Sequence, residues 1–80
     1  MRDIRVEIGD GATGWKPVPE ELLIEHERDG FDDTKGGRAM AAAMFVGLRR
    51  SGIPAVRVVG PHGILNIIDR RKEEAAADAV

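Results

Sequence analysis

Side chains that could carry out acid, base or nucleophilic chemistry are few in this sequence and lie far apart along it. The hydroxyl and imidazole groups belong to Thr13, Thr34, Ser51, His26 and His62. His26 stands between Glu25 and Glu27, but alternate residues of a strand point to opposite faces, so both carboxylates would turn away from it. Neither a paired acid–base site nor a three-ligand metal site follows from this spacing. We therefore expect no enzymatic activity, no metal and no cofactor.

A glycine pattern near the N-terminus has the spacing of a dinucleotide-binding loop. Residues 9–14 fit G-x-G-x-x-G directly after a predicted strand. That chemistry needs a helix N-terminus immediately after the glycines to hold the pyrophosphate. Pro17 and Pro19 follow instead, so we interpret residues 9–14 as a flexible loop.

Charge is divided unequally along the chain. Residues 1–34 contain four basic and ten acidic residues, whereas residues 35–72 contain eight basic residues and one acidic residue, and the whole chain has a net charge of −2. The two halves can neutralise each other within one domain. Alternatively, an acidic face meets a basic partner, or a basic face meets nucleic acid.

Six carboxylates between residues 21 and 33 are the candidate partner-binding residues. They are Glu21, Glu25, Glu27, Asp29, Asp32 and Asp33. If this segment is extended, alternate side chains on one face lie about 6–7 Å apart, which is twice the rise per strand residue. That spacing approaches the separation of phosphates along one nucleic-acid strand. The segment would then fit a DNA-binding groove lined by arginine and lysine.

A basic helix face is the alternative candidate site. Its residues are Lys35, Arg38, Arg49 and Arg57, the last from the strand that follows the helix. Such a face can follow nucleic-acid phosphates. The chain has only three aromatic residues, which gives little support for base stacking. We therefore expect a protein or a nucleoprotein complex as the partner, before free nucleic acid.

Small residues form a further stripe on the same helix. They are Gly36, Ala39, Ala43 and Gly47. Small side chains allow another backbone to approach closely, either the chain's own loop 9–19 or the helix of a second copy. Intramolecular packing and a homodimer therefore both stay open, and a homodimer would add buried surface to a short domain.

The first elements of the fold follow from periodicity and from chain-breaking residues. Alternating Ile4, Val6 and Ile8 predict a strand with one buried face. The glycines and prolines of residues 9–19 predict an extended loop. Residues 19–29 fit either a short helix or a strand that ends in a turn at Gly30, and we favour the strand.

A helix over residues 35–51 is the clearest element. Its apolar stripe consists of Ala41, Met44, Phe45 and Leu48. Either Asp33 or Thr34 can accept hydrogen bonds from the free N–H groups at its start. Gly52 supplies a left-handed residue at its end, and Pro54 prevents the helix from continuing.

Two strands, at residues 55–59 and 64–68, complete the fold. The near-continuous apolar run of 64–68 predicts a central strand, or one covered on both faces. The order is β-β-α-β-β, with the second strand least defined, and the fold class is α+β, with one α-helix packed on a small antiparallel β-sheet. We expect a single domain over residues 1–69 and a charged tail, frayed or disordered, over residues 70–80.

Length and composition bound the remaining classes. Eighty residues form one domain at most, and 42% apolar with 32% charged residues is typical of a globular chain. The absence of cysteine excludes a disulfide framework and thiolate chemistry. The first five residues are charged and alternating, unlike a signal peptide. We therefore expect a location in the cytoplasm of a bacterial host.

About half of the chain resembles small phage-encoded anti-CRISPR proteins that act on type I systems. The similar stretch is the alanine- and methionine-rich helix 38–44, the Gly-Ile-Pro sequence at 52–54, and the strands 55–59 and 64–68. The resemblance implies a non-enzymatic inhibitor that binds the multi-subunit guide-RNA surveillance complex and blocks target DNA. It also implies that the six carboxylates lie against a DNA-binding groove and act as a DNA mimic.

Overall fold

The fold is a four-stranded antiparallel sheet with one helix on one of its faces. The computed structural model describes residues 3–24 and 27–72. Its elements are β1 (Arg5–Asp10), β2 (Gly14–Pro17), a 3-10 turn (Glu20–Leu22), α1 (Lys35–Arg50), β3 (Ala55–Gly60) and β4 (Gly63–Asp69). The strand order in the sheet is β2-β1-β3-β4, and every neighbouring pair is antiparallel. The predicted α+β class is confirmed.

The second strand lies earlier in the chain than the sequence indicated. It is β2, within the stretch predicted to be a loop, and it pairs with β1 from Asp10 opposite Gly14 to Glu7 opposite Pro17. Gly11 adopts a positive φ of 69°, which allows the tight reversal between the strands. Pro17 is tolerated because β2 is an edge strand and needs no further donor.

The strand favoured for residues 19–29 is wrong for the residues that the structure describes there. The amide of Leu22 donates to the Pro19 carbonyl oxygen at 3.0 Å, and the amide of Leu23 donates to the Glu20 carbonyl oxygen at 3.0 Å. These two hydrogen bonds form the 3-10 turn. A second turn follows, where the Gly30 amide donates to the Glu27 carbonyl oxygen at 3.1 Å. Glu25 and His26 lie outside the described residues.

Helix α1 begins and ends almost where the sequence predicted. The Thr34 hydroxyl oxygen accepts a hydrogen bond from the Gly37 amide at 3.0 Å, so Thr34 is the cap residue. At the other end, Gly52 has a φ of 91°, and the Ile53 amide donates back to the Leu48 carbonyl oxygen at 3.3 Å. This left-handed termination is the one expected of a glycine after the last helical turn.

The core lies between α1 and the two central strands. Its buried apolar residues are Ile4, Val6, Ile8, Val18, Phe31, Ala41, Phe45, Val56 and Val58. Phe31 joins it because it exchanges two backbone hydrogen bonds with Ile4, at 2.9 and 2.7 Å. The predicted apolar stripe of α1 faces this core, with Ala41 and Phe45 buried and Met44 and Leu48 packed beside them.

The face of the sheet opposite α1 carries charged side chains of β1 and β3. Val56 and Val58 are buried on the helix side, so the alternating Arg57 points to the opposite face. By the strand register, Glu7 lies directly beside Arg57 on that face, and Ile67 lies on the other side of Arg57. We call this surface the open face.

The predicted central or doubly covered position of the last strand is wrong. β4 is an edge strand, and Ile64, Leu65 and Ile67 are 52%, 44% and 52% exposed. The central position next to β3 is taken by β1, which comes from the other end of the chain. An apolar run indicates that a segment favours burial. It does not indicate the order of strands in the sheet, which decides whether that segment is buried.

The packed domain extends past the predicted boundary at residue 69. The Arg70 amide donates to the Pro54 carbonyl oxygen at 2.8 Å, and the Arg71 side chain reaches back across the sheet. These two residues therefore belong to the domain and not to a tail. Residues 73–80 of the predicted tail lie outside the described residues.

Candidate binding site

An acidic connection between β2 and α1 forms the surface that the sequence singled out. We define the acidic segment as residues 20–33. Buried Val18 precedes it, and near its end buried Phe31 pairs with Ile4 at the start of β1. Because both ends are fixed to the core, the described carboxylates between them are held at the surface of the domain.

Most carboxylates of the acidic segment are directed to solvent. Those classed as exposed are Glu20, Glu21, Asp29, Asp32 and Asp33. Asp33 accepts a hydrogen bond from Arg38 Nε at 2.7 Å. Half-buried Glu27 accepts one from the Ile24 amide at 2.9 Å. Within the described part of the chain, Glu20, Glu21 and Asp29 form no ion pair, so their charge is not neutralised by the basic half.

The regular row of carboxylates expected from a strand is absent from the described part of this segment. Two tight turns, at residues 19–23 and 27–30, replace the extended backbone. Alternate side chains therefore do not project at twice the strand rise. The described residues form a compact acidic surface. A partner would therefore recognise its charge and not a row of evenly spaced carboxylates.

An apolar pocket lies beside this acidic surface. Its volume is about 230 Å³, and its apolar lining includes Val6, Val18, Leu23, Phe31 and Met44. The charged residues around it are Arg5, Glu7, Glu20, Glu27, Arg28 and Asp29. No sequence pattern indicates this pocket, because its walls come from β1, α1 and two turns that meet only in the folded chain.

A cluster around Trp15 occupies the open face. The guanidinium carbons of Arg57 and Arg71 lie 4.5 and 4.8 Å from the centre of the indole ring, within the range of cation–π attraction. Arg57 also forms an ion pair with Glu7 Oε1 at 2.8 Å. The chain has one tryptophan, but nothing in its local sequence identifies two arginines so distant along the chain as its neighbours.

Arg71 connects the end of β4 to the β1–β2 hairpin. Its Nη1 donates to the carbonyl oxygens of Gly11 and Gly14 at 3.3 and 2.7 Å, and its Nη2 pairs with Asp69 Oδ2 at 2.7 Å. The side chain is only 9% exposed. Hydrogen bonds from Arg71 hold the pKa of Asp69 at about 2, below its ordinary value of 3.8. We call Arg71 with these partners the arginine clip.

Close packing under the clip explains one glycine of the G-x-G-x-x-G pattern. A β-carbon at Gly9 would lie 2.8 Å from Cβ of Ala55 and 3.0 Å from Nη1 of Arg71. The pattern therefore serves the hairpin and the clip. It is followed by β2 and not by the helix that a pyrophosphate site needs.

The alternative basic face is not one continuous surface. Lys35, Arg38 and Arg49 are exposed on α1, and Arg38 is paired with Asp33. Arg57 lies on the open face, on the other side of the sheet from α1, where it pairs with Glu7. The structure therefore separates Arg57 from the three helical residues with which the sequence analysis grouped it.

The small-residue stripe of α1 does not pack against loop 9–19. Ala39 and Ala43 are exposed, and a β-carbon at Gly36 or Gly47 would meet no atom of another element within 4 Å. Loop 9–19 instead contributes β2 and the carbonyl groups bound by the arginine clip. Intramolecular packing of the stripe against this loop is therefore wrong, and a homodimer through it stays a prediction.

Of the two histidines considered as catalytic groups, the structure describes one. His62 is exposed in the turn between β3 and β4, and His26 lies outside the described residues. In the ranges 3–24 and 27–72, no three histidine or carboxylate side chains are grouped as metal ligands. Over the same ranges, no helix has the length and apolar character needed to cross a bilayer.

Comparison with protein-family models, with curated proteins and with solved structures finds no match to this chain. The function proposed below therefore depends on the geometry and charge of the described residues and on the resemblance already given.

Proposed function

We propose that this chain is a non-enzymatic inhibitor that binds a type I CRISPR surveillance complex and blocks the binding of target DNA. The observation that carries the proposal is the acidic segment, where Glu20, Glu21 and Asp29 are exposed and form no ion pair among the described residues. Such a surface is complementary to a groove that binds nucleic acid through arginine and lysine. The chain competes with target DNA by occupying that groove.

The electrostatics favour rapid and specific association. Complementary surface charge accelerates the diffusional encounter and disfavours partners of the same sign. Val18 and Phe31 are buried on either side of the segment, and tight turns order its described residues, so these residues lose little backbone freedom when a partner binds. Attraction between exposed charges is screened by salt, so we expect inhibition to weaken as the salt concentration rises.

A competition experiment tests the proposal. A purified type I surveillance complex is mixed with labelled duplex target and increasing amounts of this chain, and target binding is followed by gel mobility. We expect the unmodified chain to displace the target. The double variant Glu21→Lys with Asp29→Lys should need at least about tenfold more protein, because two attractive charges become repulsive.

A matched variant controls for net charge. Asp3→Lys with Asp10→Lys changes the total charge equally but alters exposed residues outside the acidic segment, and it should inhibit like the unmodified chain. The proposal is wrong if the chain leaves target binding unchanged, or if the two double variants inhibit equally. Binding of this chain to the labelled duplex itself would favour the basic-face alternative.

A further inference from the structure

We propose that the apolar pocket beside the acidic segment receives one apolar side chain from a lysine- and arginine-rich segment of a partner protein. The inference rests on the proposed function, because it takes the acidic segment as the contact surface. It adds the chemistry of the contact: an apolar side chain of the partner is buried in the pocket, in addition to the attraction between opposite charges.

The size and lining of the pocket fit a leucine, methionine or phenylalanine side chain. The pocket volume is about 230 Å³, and an apolar cavity of roughly 150 Å³ already holds a benzene molecule. Val18 and Phe31 are 5% and 3% exposed and form fixed walls in the core. Leu23 and Met44 are half-buried beside them, so an inserted side chain would cover apolar surface that the fold leaves accessible.

The charges around the pocket determine what flanks the anchor. Four acidic and two basic residues line it, but the Glu7 side chain is turned to the open face. The other three acidic residues still exceed the two basic ones, which leaves an excess of negative charge. Glu7 is paired with Arg57, and Glu27 accepts the Ile24 amide. Glu20 and Asp29 are exposed and form no ion pair among the described residues. Basic residues beside the anchor would therefore find unneutralised carboxylates within reach.

The pocket and the charges at its rim contribute to different properties of binding. Buried anchor side chains in well-packed pockets contribute most of the binding energy of protein interfaces. Charges at the rim mainly raise the association rate and exclude partners of like charge. A partner with the basic residues but without the apolar anchor would bind this surface weakly.

Short synthetic peptides test the inference without the surveillance complex. One peptide has a central leucine with two lysines on each side, a second has alanine at the centre, and a third has leucine between glutamates. Each is titrated into the isotope-labelled chain while the amide resonances of Val18, Leu23 and Gly30 are followed. We expect the lysine–leucine peptide to shift these resonances. The other two peptides should bind with an affinity at least about tenfold lower.

A neighbouring pair of leucines supplies the matched variants. Leu23 lines the pocket, whereas Leu22 is 57% exposed and lies on a different groove beside α1. We expect Leu23→Ala to abolish the preference for the leucine peptide and Leu22→Ala to retain it. If Leu23→Ala does not fold, the comparison of leucine and alanine peptides on the unmodified chain still decides the inference.

The outcomes separate this inference from the proposed function. Equal binding of the leucine and alanine peptides overturns the inference, because charge alone would then hold the partner, while inhibition of the surveillance complex could persist. Binding of none of the peptides also overturns it. Inhibition lost by Glu21→Lys with Asp29→Lys but unaffected by a folded Leu23→Ala variant would support the proposed function and contradict the pocket.

Discussion

At the scale of single residues, Asp69 and Arg71 form a charged pair joined by three hydrogen bonds. The Asp69 carboxylate accepts hydrogen bonds from the backbone amide and the guanidinium of Arg71. These bonds favour the charged form of Asp69, which is why its folded-state pKa lies at about 2 instead of 3.8. The pair therefore links the stability of the domain to pH in the acid range.

The sign of that link gives a pH prediction. Between about pH 4 and pH 2 the unfolded chain protonates Asp69 while the folded chain keeps it charged, so the contribution of Asp69 to stability falls as the pH is lowered through this window. Asp69→Asn should be less stable than the unmodified chain above pH 4, and the difference should shrink towards pH 2. Thermal unfolding at several pH values between 2 and 6 measures it.

A second carboxylate controls for general effects of charge removal. Glu20→Gln removes one negative charge from an exposed residue without an ion pair among the described residues, and it should leave the melting temperature at pH 6 close to that of the unmodified chain. A constant gap between the unmodified chain and Asp69→Asn from pH 6 to pH 2 would contradict the assigned role.

Single residues also show where sequence reasoning reaches its limit. Phe45 was predicted as core and Gly52 as the helix terminator, because both depend on spacing within one element. The Trp15 cluster could not be predicted, since Arg57 and Arg71 both reach the indole only after all four strands have aligned. Local pattern reports local geometry, and such contacts depend on the order of strands in the sheet.

At the scale of elements, the start of α1 is fixed by one hydroxyl group. The sequence left Asp33 and Thr34 as alternatives, and the structure separates them. Thr34 caps the Gly37 amide at 3.0 Å, whereas Asp33 pairs with Arg38 at 2.7 Å. No acidic residue lies in the first turn of α1, so the Thr34 hydroxyl, and not a carboxylate within that turn, accepts the hydrogen bond of a free backbone amide there.

Removal of the cap should weaken the whole domain. We expect Thr34→Ala to lower the free energy of unfolding by about 1 kcal/mol, because the Gly37 amide loses its acceptor. Thr34→Ser keeps the hydroxyl and should stay close to the unmodified chain. Urea unfolding followed by circular dichroism measures both, and equal midpoints for the alanine and serine variants would contradict the capping role.

The elements predicted well are those with strong local signals. The sequence of α1 contains an apolar stripe, a capping residue and a terminating glycine, and the structure confirms all three. The second strand was misplaced because β2 is short and contains Lys16 and Pro17, which are unfavourable in central strands but acceptable at an edge. The acidic segment was predicted by composition, but its turns and the pocket beside it required the tertiary structure.

At the scale of the whole molecule, the arginine clip joins parts of the chain that are about three quarters of its length apart. Arg71 and the carbonyl oxygen of Gly11 are separated by 60 residues in sequence. The clip holds the end of β4 to the β1–β2 hairpin across β1 and β3. The stability of the sheet therefore depends on a residue that the sequence analysis assigned to a tail.

Loss of the clip should loosen the open face. Arg71→Ala removes the bonds to Gly11 and Gly14 and one cation–π contact of Trp15, so we expect a lower melting temperature and easier quenching of tryptophan fluorescence by acrylamide. Arg70→Ala is the control, because Arg70 is bound through its backbone amide and should behave like the unmodified chain. Equal quenching in both variants would contradict the role of the clip.

The sheet order also determines when this protein can fold during its synthesis. β1 leaves the ribosome first, but its central neighbour β3 is about 50 residues behind it, as the Glu7–Arg57 pair shows. Until β3 emerges, the nascent chain has only the β1–β2 hairpin, and an isolated two-stranded hairpin is marginally stable. α1 would meanwhile lack the sheet that covers Phe45. The growing chain thus exposes the core residues of this domain to chaperones and proteases until β3 has emerged.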